Sequence, residues 1–282
     1  TLTTSSAASD VYKRQHIDER LNGLRGGQLM IVAGRPGMGK TTYVTNISLN
    51  AAAKGDGVLI FTLEMADVEL VQRCASNIGR VKMGLLQTGK VLGEEGQDIK
   101  LSTAVGKLQG LNIWFDDQAG TPISEICSRS RRLKRTENIG LIVVDHIGLP
   151  DAELSSDNRT LEISKISGTL KKIAKELNVP VIALCQVNRK CEERKDSRPR
   201  NSDLRDGGTI EQDADIIQFV YRDEVYNPNT EHKGQLEVIT SKLRDGEIGT
   251  DYLVMEGQYN RVRECDYTIE ANKDSYDNFE DY

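Results

Sequence analysis

The residue types that could do chemistry are concentrated first in a glycine-rich stretch, Gly34–Thr41. It fits the pattern Gly-x-x-x-x-Gly-Lys-[Ser/Thr], in which glycines let successive backbone N–H groups point at phosphate oxygens. Lys40 is placed to reach the terminal phosphates, and the hydroxyl of Thr41 is suited to ligate a magnesium ion. The stretch therefore predicts a nucleotide-binding loop, in preference to a glycine-rich turn without a ligand. The residues assigned to nucleotide are Gly34, Arg35, Pro36, Gly37, Met38, Gly39, Lys40, Thr41 and Thr42.

Three polar residues stand where predicted buried strands end. Glu64 follows the apolar run 58–63, Asp145 closes the run 139–145, and Gln186 is the last residue of a third run. In open α/β sheets, ligands bind outside the carboxyl ends of the strands. We therefore expect these three side chains to face the nucleotide.

Each of the three has a predicted role and a plainer alternative. Glu64 is predicted to be the general base that orients and polarises the attacking water; the alternative is a strand end or a helix cap. Asp145 has the form of a Walker B element, whose carboxylate holds magnesium, usually through water; the alternative is a cap on the next turn. Gln186 either contacts the γ-phosphate or bound water by hydrogen bonding, or is a neutral end of strand.

The elements that must position these residues follow from hydrophobic periodicity. A buried strand at 29–33 precedes the glycine-rich loop, and a helix from 42 to about 54 follows it. This strand–loop–helix context is the one that the phosphate-binding motif requires. Further buried strands are predicted at 58–63, 111–115, 139–145 and 179–186, and helices at 67–78, within 84–109, at 122–134 and at 158–178. Four later strands, at 215–221, 235–241, 250–255 and 260–263, lack intervening helices and are expected to extend the sheet antiparallel.

Composition limits the class of protein. The 282 residues carry a net charge of −6, which argues against a broad nucleic-acid-coating surface but is compatible with a narrow channel or loop. No apolar run approaches the ~20 residues that span a bilayer, so no membrane contact is expected. The five cysteines contain no CxxC pair, which argues against a disulfide or metal framework. We expect a reducing cytoplasm as the setting.

The segment 187–215 is basic, contains glycine and proline, and has little apolar material. It is predicted to be a long, mobile loop at the functional edge of the sheet, suited to gripping a phosphodiester backbone. The predicted organisation is a disordered or non-native leader (1–15), one domain (16–265) and an acidic tail (266–282).

The order of these parts resembles the ATPase domain of DnaB-type replicative helicases, which are hexameric motors of the RecA-like superfamily. The resemblance covers roughly residues 16–265. It rests on the motifs Gly34–Thr41, Phe61–Met65, Cys185–Arg189, Arg198–Asp215 and Tyr221–Tyr226, of which the run 198–215 is the most specific.

The resemblance implies a RecA-like P-loop NTPase fold: a central, mostly parallel, twisted sheet with helices on both faces and antiparallel strands added near the C-terminus. It implies ATP and Mg²⁺ as cofactors and 5′-to-3′ translocation on single-stranded DNA with duplex unwinding. Gln186 would couple the nucleotide state to the DNA loop. Lys242 and Arg244 would act in trans, with Arg244 as the arginine finger of a neighbouring site in a homohexamer. Residues matching the family's DNA contacts are Arg205, Asp206 and Gly208.

The same resemblance frames the remaining expectations. Primase and a helicase loader are possible partners, but not through the family's N-terminal collar domain, which has no counterpart in the printed sequence. The protein would work in a bacterial cell, encoded by the bacterium or by a phage. After Asp145 the family commonly has an aromatic residue, whereas this chain has His146. The alternatives are a RecA-like recombinase or mediator ATPase, and a P-loop signalling or clock-type ATPase that binds no DNA.

Overall fold

One mixed β-sheet positions all of these residues. The computed structural model describes residues 17, 20–93, 96–147, 156–204 and 207–264. Within these ranges the strands form a single nine-stranded sheet in the order β3-β2-β4-β5-β1-β6-β7-β8-β9. The strands are β1 (Leu29–Gly34), β2 (Gly57–Thr62), β3 (Ile113–Asp116), β4 (Ile139–Asp145), β5 (Val181–Gln186), β6 (Ile216–Tyr221), β7 (Gln235–Leu243), β8 (Gly249–Glu256) and β9 (Arg261–Glu264).

The sheet has a parallel half and an antiparallel half. The six neighbouring strands β3, β2, β4, β5, β1 and β6 pair in parallel, so their carboxyl ends meet at one edge. From β6 to β9 every pairing is antiparallel, as predicted from strands that follow one another without helices. The strands of the parallel half are apolar and mostly buried, because helices cover both faces.

The helices lie on both faces of the sheet. They are α1 (Lys40–Ala53), α2 (Asp67–Gly79), α3 (Met83–Thr88), α4 (Gln97–Gln109), α5 (Ile123–Thr136), α6 (Ser156–Leu177) and α7 (Gly207–Asp213). Short 3₁₀ turns occupy Lys90–Gly93, Arg189–Glu193, Asn201–Asp203, Asp223–Val225 and Gly257–Tyr259. No helix in the described ranges is both long and apolar enough to cross a bilayer.

Alternate residues along each central strand feed two separate cores. Leu29 and Ile31 of β1 pack with Ile126, Leu170 and other residues of α5, α6 and α7 on one face. The intervening residues of β1 pack against α1 and α2 on the other face. This two-residue alternation fixes the register of β1, because a slip by one residue would exchange the two faces.

A chain of buried polar side chains crosses the second core and joins α1 to two strands. The Tyr43 hydroxyl donates to Gln218 Oε1 at 2.9 Å, and Gln218 Nε2 donates to Thr240 Oγ1 at 3.1 Å. Gln218 lies on β6 and Thr240 on β7, and all three side chains are buried. Their mutual hydrogen bonds offset the cost of burying polar groups and fix α1, β6 and β7 relative to one another.

The described part of the segment 187–215 is not the uninterrupted long loop that the sequence predicts. Its described part contains two 3₁₀ turns and α7. The Arg194 guanidinium donates to both carboxylate oxygens of Asp203 at 2.7 Å, and Arg198 does the same to Glu237 at 2.7 Å. Glu237 is almost fully buried on β7. The sequence predicts that the basic residues of this segment contact phosphates, but these two arginines form ion pairs within the chain.

Candidate nucleotide site

The loop between β1 and α1 has the backbone shape that its glycines predict. Gly37 (φ +80°) and Gly39 (φ +95°) lie in the left-handed region that favours glycine. Gly34 is extended, and glycine is needed there because the backbone of β6 passes close by. A Cβ at this position would lie 2.8 Å from the Val220 carbonyl oxygen. Gly39 is also the N-cap of α1, and no side chain caps that helix terminus. The first N–H groups of α1 therefore face the loop, the arrangement that favours bound anions.

Lys40 begins α1 and curls back over the loop. Its ammonium donates to the carbonyl oxygens of Gly34 at 2.9 Å and of Arg35 at 3.1 Å. Burial lowers the pKa of the Lys40 ammonium, and the nearby Asp145 carboxylate opposes that shift. A phosphate beside this ammonium would stabilise its charged form.

Thr41 and Asp145 are brought into direct contact. The Thr41 hydroxyl donates to Asp145 Oδ2 at 2.8 Å, although 104 residues separate them in sequence. Asp145 is only 8% exposed, and this burial raises the pKa of its carboxyl, while the hydrogen bond from Thr41 opposes the shift. A hydroxyl and a buried carboxylate, adjacent to a phosphate loop, form a donor set that fits a hard divalent cation such as Mg²⁺.

Glu64 lies at the same edge, but not within a strand. Strand β2 ends at Thr62, and Glu64 occupies the following bend, with 57% of its side chain exposed. The bend is held by two hydrogen bonds: Leu63 N donates to the Asp145 carbonyl oxygen at 2.7 Å, and the Thr62 hydroxyl donates to the Met65 carbonyl oxygen at 2.8 Å. The carboxylate is therefore near Asp145 and has freedom to turn, as a base for an attacking water requires.

His146 is a member of this site to which the sequence interpretation gave no role. Its Nδ1 lies 3.1 Å from Glu64 Oε2, and the ring is 6% exposed. The peptide bond between Asp145 and His146 is cis. The signal that could have found it is an imidazole directly after the strand-end aspartate.

Gln186 is adjacent to the loop, as the strand-end rule predicts. It pairs in register with Gly34 across β5 and β1. The next residue, Val187, forms an isolated antiparallel bridge with Leu204, which directly precedes Arg205. A short stretch of backbone therefore connects the edge of the nucleotide loop to the predicted DNA contacts.

Arg35 links the outer side of the nucleotide loop to the same region. Its Nε donates to Glu192 Oε1 at 2.7 Å, and its Nη1 donates to the Val187 carbonyl oxygen at 3.2 Å. The hydrogen bond from Arg35 is the main cause of the lowered pKa of the exposed Glu192 carboxyl. On the other flank, Arg222 donates to the Gly37 carbonyl oxygen at 3.3 Å. The sequence interpretation assigned Arg35 to nucleotide only and missed these two supports.

Lys242 and Arg244 lie at the opposite edge, where the parallel strands begin. Because β7 is antiparallel to β6, it carries these residues away from the loop. The Arg244 backbone N–H donates to the Asp215 carbonyl oxygen at 3.0 Å, and Asp215 is in turn bonded to Leu29, the first residue of β1. Gly34 lies five residue steps along β1 from Leu29, about 16 Å at ~3.3 Å per step.

The environments of these two cations differ. The Lys242 ammonium donates to the Glu211 carbonyl oxygen in α7. Arg244 Nη1 lies 3.5 Å from the buried Asp215 carboxylate, while 54% of the Arg244 side chain is exposed. Neither residue is brought to the nucleotide loop of its own chain.

The predicted DNA contacts are only partly covered by the structure. Arg205 and Asp206 lie outside the described residues. Gly208 lies in the first turn of α7, with open space around its Cα. Helix α7 is anchored to α6 by hydrogen bonds from Ser164 to Thr209 at 2.8 Å and from Ser167 to Asp213 at 2.6 Å.

Comparison with known proteins identifies the family. Residues 12–264 match the model described as "DnaB-like helicase C terminal domain". A curated relative, the replicative DNA helicase DnaB of Buchnera aphidicola subsp. Acyrthosiphon pisum (strain APS), is 45% identical over 249 residues, covering 88% of this chain and 54% of that protein. This chain spans about half the length of the curated relatives it matches.

Solved structures agree with this result. One solved chain, described as an ATPase domain, superposes with a TM-score of 0.84 at 36% identity, covering 89% of each chain. A structure described as "The Structure Of A DnaB-Like Replicative Helicase And Its Interactions With Primase" gives the same TM-score and identity, covering 89% of this chain and 60% of that one. The predicted RecA-like fold is confirmed, and the chain belongs to the DnaB-like helicase C-terminal domain family.

Proposed function

We propose that this chain is the ATP-hydrolysing motor of a replicative DNA helicase, which translocates 5′ to 3′ on single-stranded DNA and unwinds duplex. One observation carries the proposal: the sheet places a phosphate loop, Asp145 and Glu64 at one edge, and Lys242 and Arg244 at the other. That division is what a motor needs if its catalytic sites lie between subunits. The family match favours this function over a recombinase or a signalling ATPase.

Within one chain the residues divide the work of hydrolysis. The N–H groups of the loop and the Lys40 ammonium bind and orient the phosphates of ATP. Thr41 and Asp145 would hold Mg²⁺, which when bound neutralises charge on the β- and γ-phosphates. Glu64 accepts a hydrogen bond from the attacking water and orients it toward the γ-phosphorus. The exposure of the Glu64 side chain leaves it room to follow that water.

A neighbouring chain would complete the site. Arg244 lies about 16 Å along the strand direction from the loop of its own chain, so it is placed to serve another one. We propose a homohexamer in which Arg244 and Lys242 of one subunit contact the γ-phosphate bound by the next. Such an arginine acts by stabilising charge that develops in the transition state.

The proposed path from nucleotide to DNA is short. Gln186 is hydrogen-bonded within the sheet beside Gly34, and the backbone then passes through Val187 to its bridge partner Leu204. Arg205, Asp206 and Gly208 follow, and we propose that they contact the phosphates of single-stranded DNA. A shift of Gln186 on loss of the γ-phosphate would therefore reach the DNA contacts within a few residues.

Partners are proposed by relation. The solved structure that names primase concerns a helicase similar to this chain, and we propose that this protein also contacts a primase and a loader. In those relatives, such contacts can also involve the half of the protein that this chain does not match.

A strand-displacement experiment on tailed duplexes tests the proposed function. The chain, ATP and Mg²⁺ are mixed with duplexes in which one strand carries a single-stranded tail, either at its 5′ end or at its 3′ end. ATP-dependent displacement that requires loading on a 5′ tail is expected, and Lys40→Ala should abolish it. ATP hydrolysis with no binding to labelled oligo-dT at low salt would support a non-DNA ATPase instead. Helical filaments in electron micrographs, in place of closed rings, would support a recombinase.

A further inference from the structure

The side chains of Glu64, Asp145 and His146 form a compact cluster of metal-ligating groups. One ligand atom from each lies within 4.8 Å of the other two. The distance from His146 Nδ1 to Glu64 Oε2 is 3.1 Å. In a tetrahedral site with metal–ligand bonds of about 2.0–2.1 Å, two ligand atoms are separated by about 3.3 Å. The cluster thus approaches the spacing that a bound ion requires.

The imidazole of His146 is an independent observation that points to a ligand. It is 6% exposed, and its Nδ1 makes no hydrogen bond of acceptable geometry with any residue in the described ranges. A buried polar atom without a partner is costly, so native structures usually satisfy it. Glu64 Oε2 is 3.1 Å away without forming a hydrogen bond to Nδ1, whereas a cation on the Nδ1 lone pair would satisfy that atom directly.

The donor set determines which ion fits. Mg²⁺ demands oxygen ligands and retains its water, so an imidazole adds little for it. One imidazole and two carboxylates are suited to borderline-soft ions such as Zn²⁺ and Co²⁺. We propose that Glu64, Asp145 and His146 together form a binding site for such an ion, which shares Asp145 with the hydroxyl–carboxylate pair assigned to Mg²⁺.

Occupation of this site would have a direct effect on hydrolysis. Zn²⁺ bound to the Glu64 carboxylate would lower the basicity of that carboxylate and fix its orientation, so that it could no longer turn to orient the attacking water. Because the Glu64 side chain is 57% exposed, it can make the small turn that the ion requires. Zn²⁺ would therefore act as an inhibitor that removes the base. This effect on hydrolysis rests on the proposed function, whereas binding of the ion does not.

The binding test needs neither nucleotide nor DNA. The untagged chain, stripped of metal, is titrated with Co²⁺ and followed by visible absorption, with the chain itself confirmed as folded by circular dichroism. One bound Co²⁺ with nitrogen ligation is expected, and Zn²⁺ should displace it. His146→Phe should weaken binding at least about tenfold, since even loss of an outer-shell partner costs that much. His232→Ala, which removes an exposed imidazole elsewhere, is the matched control and should leave the spectrum unchanged.

A second variant keeps the test decisive if His146→Phe fails to fold. Glu64→Ala alters an exposed bend residue and should also weaken Co²⁺ binding. Retention of the wild-type affinity and spectrum in either folded variant overturns the proposal, as does a wild-type chain that binds no Co²⁺. In a separate arm, Zn²⁺ should inhibit ATP hydrolysis of the wild type at lower concentration than that of His146→Phe. If ATP hydrolysis is absent altogether, the proposed function fails while the titration still decides the metal site.

Discussion

The two edges of the parallel strands differ in how completely their charged groups are engaged. At the carboxyl edge, Lys40, Thr41 and Asp145 contact one another or the loop, and each is largely buried. At the amino edge, Arg244 is more than half exposed, and its nearest anionic partner is 3.5 Å away. The charged and polar groups at the carboxyl edge are arranged to bind a ligand within their own chain. The second edge carries a cation that is accessible to a neighbouring chain.

The largest effect is expected at the carboxyl edge. Lys40→Ala removes the cation that faces the terminal phosphates, and ATP hydrolysis should fall below detection in a steady-state phosphate-release assay. Lys54→Ala, an exposed lysine just after the same helix, is the control and should hydrolyse ATP normally. Substantial ATP hydrolysis by Lys40→Ala would show that the loop has no part in the reaction.

Arg244→Ala should lower kcat at least about 10³-fold, the range expected for loss of an arginine finger, while binding of fluorescent ATP analogues is retained. Mixing Arg244→Ala with Lys40→Ala chains offers a sharper test. Some interfaces in the mixture would combine an intact loop with an intact Arg244, so hydrolysis should reappear. Full hydrolysis by Arg244→Ala alone, or no recovery on mixing, would contradict action between subunits.

Arg198→Ala tests the tie between the segment 187–204 and the sheet. The bidentate pair with Glu237 joins the segment 187–204 to β7, the strand that carries Lys242. Its removal leaves a buried carboxylate unpaired, and we expect a loss of about 2–3 kcal/mol in the free energy of unfolding, measured by urea titration. Lys195→Ala, an exposed change on the same segment, should cost far less. Equal stability of the two variants would show that the pair is solvated in solution.

The smallest effect is expected for Gln186→Ala. This change should leave basal ATP hydrolysis within about twofold but reduce its stimulation by oligo-dT about fivefold, a coupling near ~1 kcal/mol. The measurement is the ratio of hydrolysis rates with and without DNA. Unchanged stimulation would place the coupling elsewhere, with the Arg35–Glu192 contact as the next candidate.

The contrast between the edges was partly predictable from sequence. The strand–loop–helix unit at Gly34–Thr41 and the convergence of Asp145 and Gln186 follow from local pattern and from the rule that parallel strands end together. The antiparallel extension also followed, because no helix separates the later strands. The insertion of β1 between β5 and β6 did not, since partner choice among buried strands depends on long-range packing.

Three misses have specific physical causes. Helix α7 begins with two glycines, which are poor helix formers, and the burial of Ile210 together with the hydrogen bond from Ser167 to Asp213 overrides that propensity. Arg194 and Arg198 looked available because their acidic partners, Asp203 and Glu237, are not identifiable as partners from spacing. The role of His146 is not predictable from sequence, because a single imidazole forms no pattern and only folding brings it to Glu64.

The buried relay from Tyr43 through Gln218 to Thr240 has a mechanical consequence. Directional bonds resist sliding, so the helix behind the phosphate loop and the strand that leads to Arg244 move as one body. In a ring of such chains, each subunit would behave as a rigid body with the nucleotide loop at one end and Arg244 at the other. Closure of one loop on ATP would then displace the Arg244 of the same subunit at the next interface. The order of hydrolysis at successive sites would therefore follow from the rigidity of the subunits.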